Sequence, residues 1–420
     1  MQAAEYLPRV VDQQLTELLG ALGAVVIEGP KACGKTATAS QQAASTVRLD
    51  LDSNARQAAA VDPSLILDGD PPRLIDEWQV EPAIWNAIRH TVDERGRPGQ
   101  FILTGSAVPV DDETRHTGAG RFVRMRMRPM SLLETGASTG DVSLADLMDG
   151  GSPSSRDPGL TVSDLAEEIV RGGWPANRQL TADQAQLALR GYLDEVCRTD
   201  ISAADGVSRD PDRVQRLLRS LARHVSTSAA QTTIAADTGG PEGPIHEETV
   251  SDYLNALRRI FVIEDQPAWA PHIRSKYQLR RAAKRHFVDP SLAVAALRTG
   301  VSPLLNDLNY LGLLFESLVI RDLRVYAQAS EAEVLQYRDS RGNEADAVIR
   351  APSGEWAAFE IKLGAGALID EGAESLKRFM KQIDTKKCGE PAALGIITGT
   401  GYSYTRDDDI QVIPIGALGP

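Results

Sequence analysis

The chain has 420 residues, 42% of them hydrophobic and 25% charged, which predicts roughly two to four domains with ample core. A net charge of −13 excludes a general nucleic-acid coat, yet leaves room for a local basic surface. Cys33, Cys197 and Cys388 are too scattered for a disulfide framework or zinc cluster. No apolar stretch reaches the ~18 residues of a membrane span, so a cytoplasmic protein with no membrane partner is expected.

In chain order, Glu5 to Gly20 reads as an amphipathic helix, and the N-terminus lacks the pattern of a signal peptide. Ala24 to Ile27 is a short apolar run that predicts a buried strand. It leads into Gly29-Pro30-Lys31-Ala32-Cys33-Gly34-Lys35-Thr36, which fits G-x-x-x-x-G-K-[ST]. Glycines let backbone N–H groups fold around phosphates, and the helix that follows turns its positive N-terminus to the same anion. Lys35 would neutralise the β- and γ-phosphates, and the Thr36 hydroxyl would join a Mg²⁺ shell. ATP and Mg²⁺ are therefore the expected ligands.

Thr46 to Leu51 predicts a second strand, and Arg73 to Glu77 a third that ends in paired carboxylates. Asp76 is expected to hold Mg²⁺ and Glu77 to polarise the attacking water. After a helix over Glu81 to Glu94, Phe101 to Ser106 is a strand ending in small hydroxyl residues. Thr104 or Ser106 is placed there to sense the γ-phosphate. Strands alternating with helices predict an α/β fold with a parallel, doubly wound sheet and ligands at the strands' carboxyl ends.

In Gly118 to Glu134, GAGRFVRMRMRPMSLLE, Arg124, Arg126 and Arg128 alternate with apolar residues and predict a two-faced strand. Most of these arginines read as a solvated face. Arg121, after the glycine-rich turn, is the candidate arginine finger ahead of Arg124, acting in cis or from a neighbouring copy in a homo-oligomer.

GPKACGKT, LIDEWQ, FILTGSA and GRFVRMRMRPMSLLE, in that order, resemble a group of prokaryotic AAA-type ATPases with a C-terminal domain of unknown function. The resemblance continues through Gly172-Gly173-Trp174-Pro175 and GYLDEVCRTD, Gly191 to Asp200. It implies a five-stranded AAA-type core and a helical lid. It also implies nucleotide roles for Lys35 and Thr36 in the Gly29 to Thr36 loop, for Asp76 and for Thr104 or Ser106, and catalytic roles for Glu77 and Arg121. The GGWP stretch itself reads as a tight packed turn.

Ala137 to Asp157, rich in Gly, Ser and Asp, reads as a surface insertion or boundary. Helical spacing over Val214 to Val225, Thr232 to Ala236 and His246 to Arg259, then an apolar run Ile260 to Ile263, gives a winged-helix-like outline. Glu247, Glu248 and Asp252 would repel phosphate, which favours an internal packing module over DNA contact. Arg274 to His286, RSKYQLRRAAKRH, holds six Lys/Arg and no acid. It reads equally as a DNA-backbone contact, with Tyr277 stacking on a base, or as a solvated loop against an acidic surface.

A helix over Leu311 to Tyr326 contains Glu316. Hairpin geometry then brings Asp346 and Glu360 onto adjacent strands, and alternation puts Glu360 and Lys362 on one face. Glu316, Asp346 and Glu360 form a candidate divalent-metal site, with Lys362 placed to orient or deprotonate a water. The arrangement resembles the PD-(D/E)xK nucleases, a restriction-endonuclease-like α/β fold; the competing reading is an exposed ion-pair face.

The expected domains are an ATPase core over 1–137 and a linker with helical lid over 138–205. A winged-helix-like domain over 206–285 and a nuclease-like domain over 286–420 follow. The expected function is an ATP-binding, ATP-hydrolysing AAA-type ATPase acting on, or regulated by, nucleic acid. Alternatives are a metal-dependent nuclease gated by the ATPase, or a nucleotide-binding interaction protein.

Overall fold

The computed structural model describes residues 6–105, 118–271 and 282–420. They form two compact units: Met1–Pro129, Arg198–Arg209 and Tyr253–Val262 in one, Met130–Cys197, Asp210–Asp252 and Ile263–Pro420 in the other. Among the described residues no helix is long and apolar enough to cross a membrane.

In the first unit, strands β1 (Ala24–Glu28), β2 (Ser45–Arg48), β3 (Arg73–Asp76), β4 (Phe101–Gly105) and β5 (Phe122–Arg126) form one sheet in the order β2-β3-β4-β1-β5. Every pairing is parallel. Ala24 to Ile27 and Phe101 to Leu103 are fully buried, as expected of strands covered on both faces, which read as continuous apolar runs rather than alternating ones. Val26, Ile75 and Leu103 pack with Trp78, Trp85 and Ile88 in one core cluster. Edge strand β5 is half-exposed; Phe122 stacks on Trp85 with ring centroids 4.0 Å apart. Because β1 lies between β4 and β5, the loop leaving it emerges mid-sheet, beside the carboxyl ends of β3 and β4.

Element ends differ from the sequence reading for local reasons. The first helix begins at Val11, since Pro8 disfavours helical backbone at the residue before it. Strand β2 stops at Arg48, and Asp52 caps the helix Ser53–Val61 by accepting from the Asn54 and Ala55 N–H groups. Pro82 delays the next helix to Ile84–Arg95.

The second unit combines helices with a mixed sheet. Helices Val162–Arg171 and Ala182–Glu195 open with capping boxes at Thr161 and Thr181. Helices Pro211–Arg223 and Gln231–Gly239, and helix Glu247–Arg259, whose residues from Tyr253 on are counted in the first unit, come before β7 (Ile263–Gln266) and β8 (Lys284–Phe287), an antiparallel pair. The middle of the chain is thus helical, and the strand expected over Ile260 to Ile263 begins instead at Ile263. The C-terminal sheet runs β13-β14-β12-β11-β10-β9. Its strands are β9 (Glu333–Arg338), β10 (Glu344–Arg350), β11 (Trp356–Lys362), β12 (Ala393–Thr398), β13 (Tyr404–Thr405) and β14 (Gln411–Pro414).

The Ala137 to Asp157 stretch is no loose insertion. Its strand β6 (Val142–Ser143) pairs in parallel with β15 (Leu418–Gly419), and Ser138 Oγ donates to the Leu418 carbonyl at 2.8 Å. The GGWP turn is a packing device, as its sequence suggests. The Gly173 N–H donates to Asp289 at 3.0 Å, and Trp174 Nε1 to Ser291 Oγ at 3.0 Å. A Cβ on Gly173 would lie 2.1 Å from the Met130 carbonyl oxygen.

Candidate nucleotide site and a buried carboxylate cluster

The loop after β1 is built to curl. Ala32 (φ 62°) and Gly34 (φ 105°) take left-handed backbone, the alternation that turns successive N–H groups toward one concavity. Gly29 is required for a separate reason: a Cβ there would meet the Met127 carbonyl oxygen at 2.1 Å. Helix Lys35–Gln42 starts directly from the loop, so its N-terminal dipole faces the same space. Pro30 and Cys33 complete the curl; Cys33 is fully buried, with Sγ 3.8 Å from the Met127 carbonyl.

Lys35 is buried, and its ammonium donates to the Gly29 and Pro30 carbonyls at 2.9 and 2.7 Å. Thr36 Oγ1 donates to Asp76 Oδ1 at 2.9 Å. Thr104 Oγ1 donates to the same oxygen, so its hydroxyl orients the Asp76 carboxylate. Register explains the convergence: Asp76 pairs with Thr104 across β3 and β4, while Thr104 pairs with Ile27 just before the loop. Glu77, the next residue, takes left-handed backbone (φ 54°, ψ 45°), a conformation that non-glycine residues adopt under constraint. Its carboxylate accepts from Gln79 Nε2. The hydroxyl of Thr36 and the carboxylate of Asp76 together suit Mg²⁺, a hard cation that prefers oxygen ligands. Ser106 lies outside the described residues.

Three supports were not foreseen. Arg9 donates to the Cys33 carbonyl at 2.9 Å and the Arg128 carbonyl at 2.7 Å, bracing the loop from below. Lys31 forms a 2.6 Å ion pair with Asp200. Arg48, whose strand register faces Asp76, brings Nε within 4.0 Å of Asp76 Oδ2. The strand-end position of Arg48 was a usable signal; the Arg9 and Asp200 contacts left none in local pattern.

Arg121 is placed apart from this group. Its carbonyl accepts from the Ala24 N–H at 3.1 Å, which fixes it beside the start of β1. The loop leaves the other end, and five strand residues span about 17 Å. The guanidinium instead pairs with Asp93 at 2.8 Å. Within one copy of the chain, Arg121 is therefore no finger for this loop. Arg124 pairs with Glu28 and lies over the Trp85 ring.

In the C-terminal sheet, the register Ala347↔Phe359 sets Asp346 opposite Glu360, and helix Leu308–Gln328 supplies Glu316. A fourth residue joins them. Lys284 Nζ lies 2.8 Å from Glu316 Oε1 and 2.9 Å from Asp346 Oδ1. Asp346 Oδ2 accepts the Ile361 N–H at 3.0 Å. Lys362 Nζ is 3.4 Å from Glu360 Oε2 and 3.8 Å from Glu371.

Burial pushes the Glu316 carboxyl up to about 7, against the pull of Lys284. Burial and the nearby Asp346 push Glu360 well above its ordinary range. Burial opposes ionisation of Asp346 too, but Lys284 and the Ile361 N–H hold it below its ordinary range. Burial works against the Lys362 ammonium, yet Glu360, Asp346 and Glu371 raise it. A raised lysine stays protonated at neutral pH, which removes the expected role of deprotonating a water. Among the described residues, no group of three or more His, Cys, Asp or Glu is arranged to hold a metal ion.

Of the basic run, residues 274–281, Tyr277 included, lie outside the described residues. Lys284 and His286 are buried in β8, so neither forms part of a phosphate-facing surface.

Residues 22–136 match the AAA domain family. Residues 162–302 and 311–418 match two domains of unknown function, DUF8612 and DUF4143. Uncharacterized proteins of Mycobacterium bovis and Mycobacterium tuberculosis are each 24% identical over 347 residues, covering 80% of this chain and 70% of theirs. A Walker-type ATPase of Pyrococcus abyssi is similar at 14% identity and a TM-score of 0.41, covering 68% of this chain and 94% of that one. Residues 22–136, which carry the parallel five-stranded sheet and the loop after β1, are thus similar to AAA domains.

Proposed function

We propose that this chain binds ATP with Mg²⁺ at Gly29 to Thr36 and hydrolyses it. The observation that carries the reading is the meeting of Thr36 and Asp76 at 2.9 Å beside the buried Lys35. Mg²⁺, when bound, supplies positive charge against the phosphate oxygens; Thr36 and Asp76 are the residues that would hold it. Lys35 neutralises the remaining phosphate charge and keeps the loop closed through its two carbonyl contacts. Thr104 and Arg48 fix the orientation of Asp76. Glu77 acts as the base that orients and polarises the attacking water, once Gln79 releases its carboxylate.

The test is ATP turnover by the full chain and by Lys35→Ala and Glu77→Gln. Both variants should lose about 10²-fold or more, with Glu77→Gln still binding ATP. Unchanged turnover by Lys35→Ala would refute the reading. The nucleic-acid part rests on the sequence of the basic run from Arg274 to Arg281, outside the described residues, and the same assay with duplex DNA measures it. Equal rates with and without DNA would remove that part alone. Phosphodiester cleavage is left out of the reading, since the Lys284 ammonium stands between the Glu316 and Asp346 carboxylates.

A further inference from the structure

The cluster on the C-terminal sheet has the carboxylates of a cation site, and its cation is already part of the chain. The Lys284 ammonium stands between Glu316 Oε1 and Asp346 Oδ1, at 2.8 and 2.9 Å. Both distances are ordinary for N⁺–H···O⁻ hydrogen bonds. A divalent ion bridging the same two oxygens would have to displace the ammonium. Mg²⁺ also demands oxygen ligands at about 2.0–2.1 Å in near-octahedral array, and Asp346 Oδ2 is already committed to the Ile361 N–H.

The lysine is anchored from its backbone outward. Lys284 pairs with Gln266 across β7 and β8. The Gln266 side chain donates to the Leu335 and Asp346 carbonyls at 3.0 and 2.8 Å. Its remaining oxygen meets His286 Nε2 at 3.2 Å. The backbone that carries Lys284 is thus held in place by the ribbon and by the bonds of its partner Gln266. Charge points the same way: Lys284 and Lys362 supply two ammonium groups to three buried carboxylates, one of which, Glu360, has an oxygen with no hydrogen-bond partner.

We propose that Lys284 is the resident cation of the Glu316–Asp346–Glu360 cluster, so that this sheet holds no divalent metal there and cannot cleave nucleic acid by a metal-dependent route. The carboxylates fit a cation, but the cation is an ammonium group. The lysine serves as a positioning residue that joins the ribbon, the Glu316 helix and the sheet.

The test is Mn²⁺ binding to the full chain without nucleotide, followed by calorimetry and by the electron paramagnetic resonance of free Mn²⁺. Wild type and Asp346→Asn should bind identically up to millimolar Mn²⁺, because any Mn²⁺ taken at Asp76 is common to both. Lys284→Gln should gain one site per chain, and Lys284→Gln/Asp346→Asn should lose it. Wild-type binding that Asp346→Asn abolishes would overturn the proposal, and so would a folded Lys284→Gln variant that gains nothing. Should Lys284→Gln fail to fold, the comparison of wild type with Asp346→Asn decides alone. ATP turnover is not the readout, so this result stands or falls separately from the proposed ATPase.

Discussion

Thr36 and Asp76, forty positions apart in sequence, share a 2.9 Å hydrogen bond, and Thr104 donates to the same Asp76 oxygen. A carboxylate that accepts two hydroxyls has its orientation fixed before any ligand arrives. Asp76→Asn keeps the size and lets both hydroxyls re-bond, but removes the negative charge that a cation requires. Turnover should fall about 10²–10³-fold while the circular dichroism spectrum stays unchanged. Near-normal turnover in that variant would place the cation elsewhere.

Arg121 gives the opposite expectation. Its guanidinium is held by Asp93 at the foot of β5, with the length of β1 between it and the loop. Exposed pairs of this kind contribute little to stability. Arg121→Ala should leave turnover within about twofold in dilute protein, where no neighbouring copy can supply a finger. A large loss that appears only as protein concentration rises would instead mark a contribution from a second copy.

How much of this was legible follows from how far apart the partners lie. Lys35 and Thr36 could be read because they close a recognisable loop motif at the start of a helix, and Asp76 and Thr104 because each sits at the carboxyl end of a strand, where a parallel sheet gathers such ends. Asp346 and Glu360 could be read because a hairpin joins them. Lys284 could not: it belongs to a basic run whose composition suggests a solvated surface, and only the pairing of β7 with β8 turns it inward. The same blindness hid β6, whose partner β15 lies near the other end of the sequence. Arg121 as a finger within one copy was suggested because a glycine-rich turn resembles a loop at the ligand end. The turn in fact enters β5, and strand direction, invisible in a local window, decided its place.

His286 predicts a pH dependence. It is buried among Gln266, Ser226 and Ser317. Burial, then Arg324 and Lys284, lower its pKa well below 6.5, against a smaller pull from Glu264. Gln266 spends its amide N–H groups on two carbonyls, so its oxygen accepts from Nε2–H and the neutral tautomer is assigned by the network. The unfolded chain takes up a proton below about pH 6.5 and the native chain does not, so stability falls as pH drops through that window. The slope approaches ~1.4 kcal/mol per pH unit for one proton. Urea unfolding at pH 7.5 and 5.5 should show a smaller acid loss in His286→Gln than in wild type; equal losses would mean His286 titrates normally.

Arg321 tests the core of the second unit. Its guanidinium, wholly buried, meets Asp289 at 2.8 Å and Asp322 at 2.7 Å. The two carboxylates reach onward: Asp289 to the Gly173 and Ser291 N–H groups, Asp322 to the Leu132 N–H at 2.9 Å. One cation thus holds together the GGWP turn, the helix cap at Asp289 and the segment after β5. Arg321→Met keeps a long side chain but leaves two buried carboxylates facing each other, at a cost of about 3–5 kcal/mol. Adding Asp322→Asn should restore part of that loss, since the neutral amide keeps an acceptor for the Leu132 N–H without the repulsion, whereas Asp289 needs both of its oxygens for the Gly173 and Ser291 N–H groups. If Arg321→Met unfolds at the wild-type urea midpoint, the guanidinium contributes nothing net, and the turn is held by packing against Met130 instead.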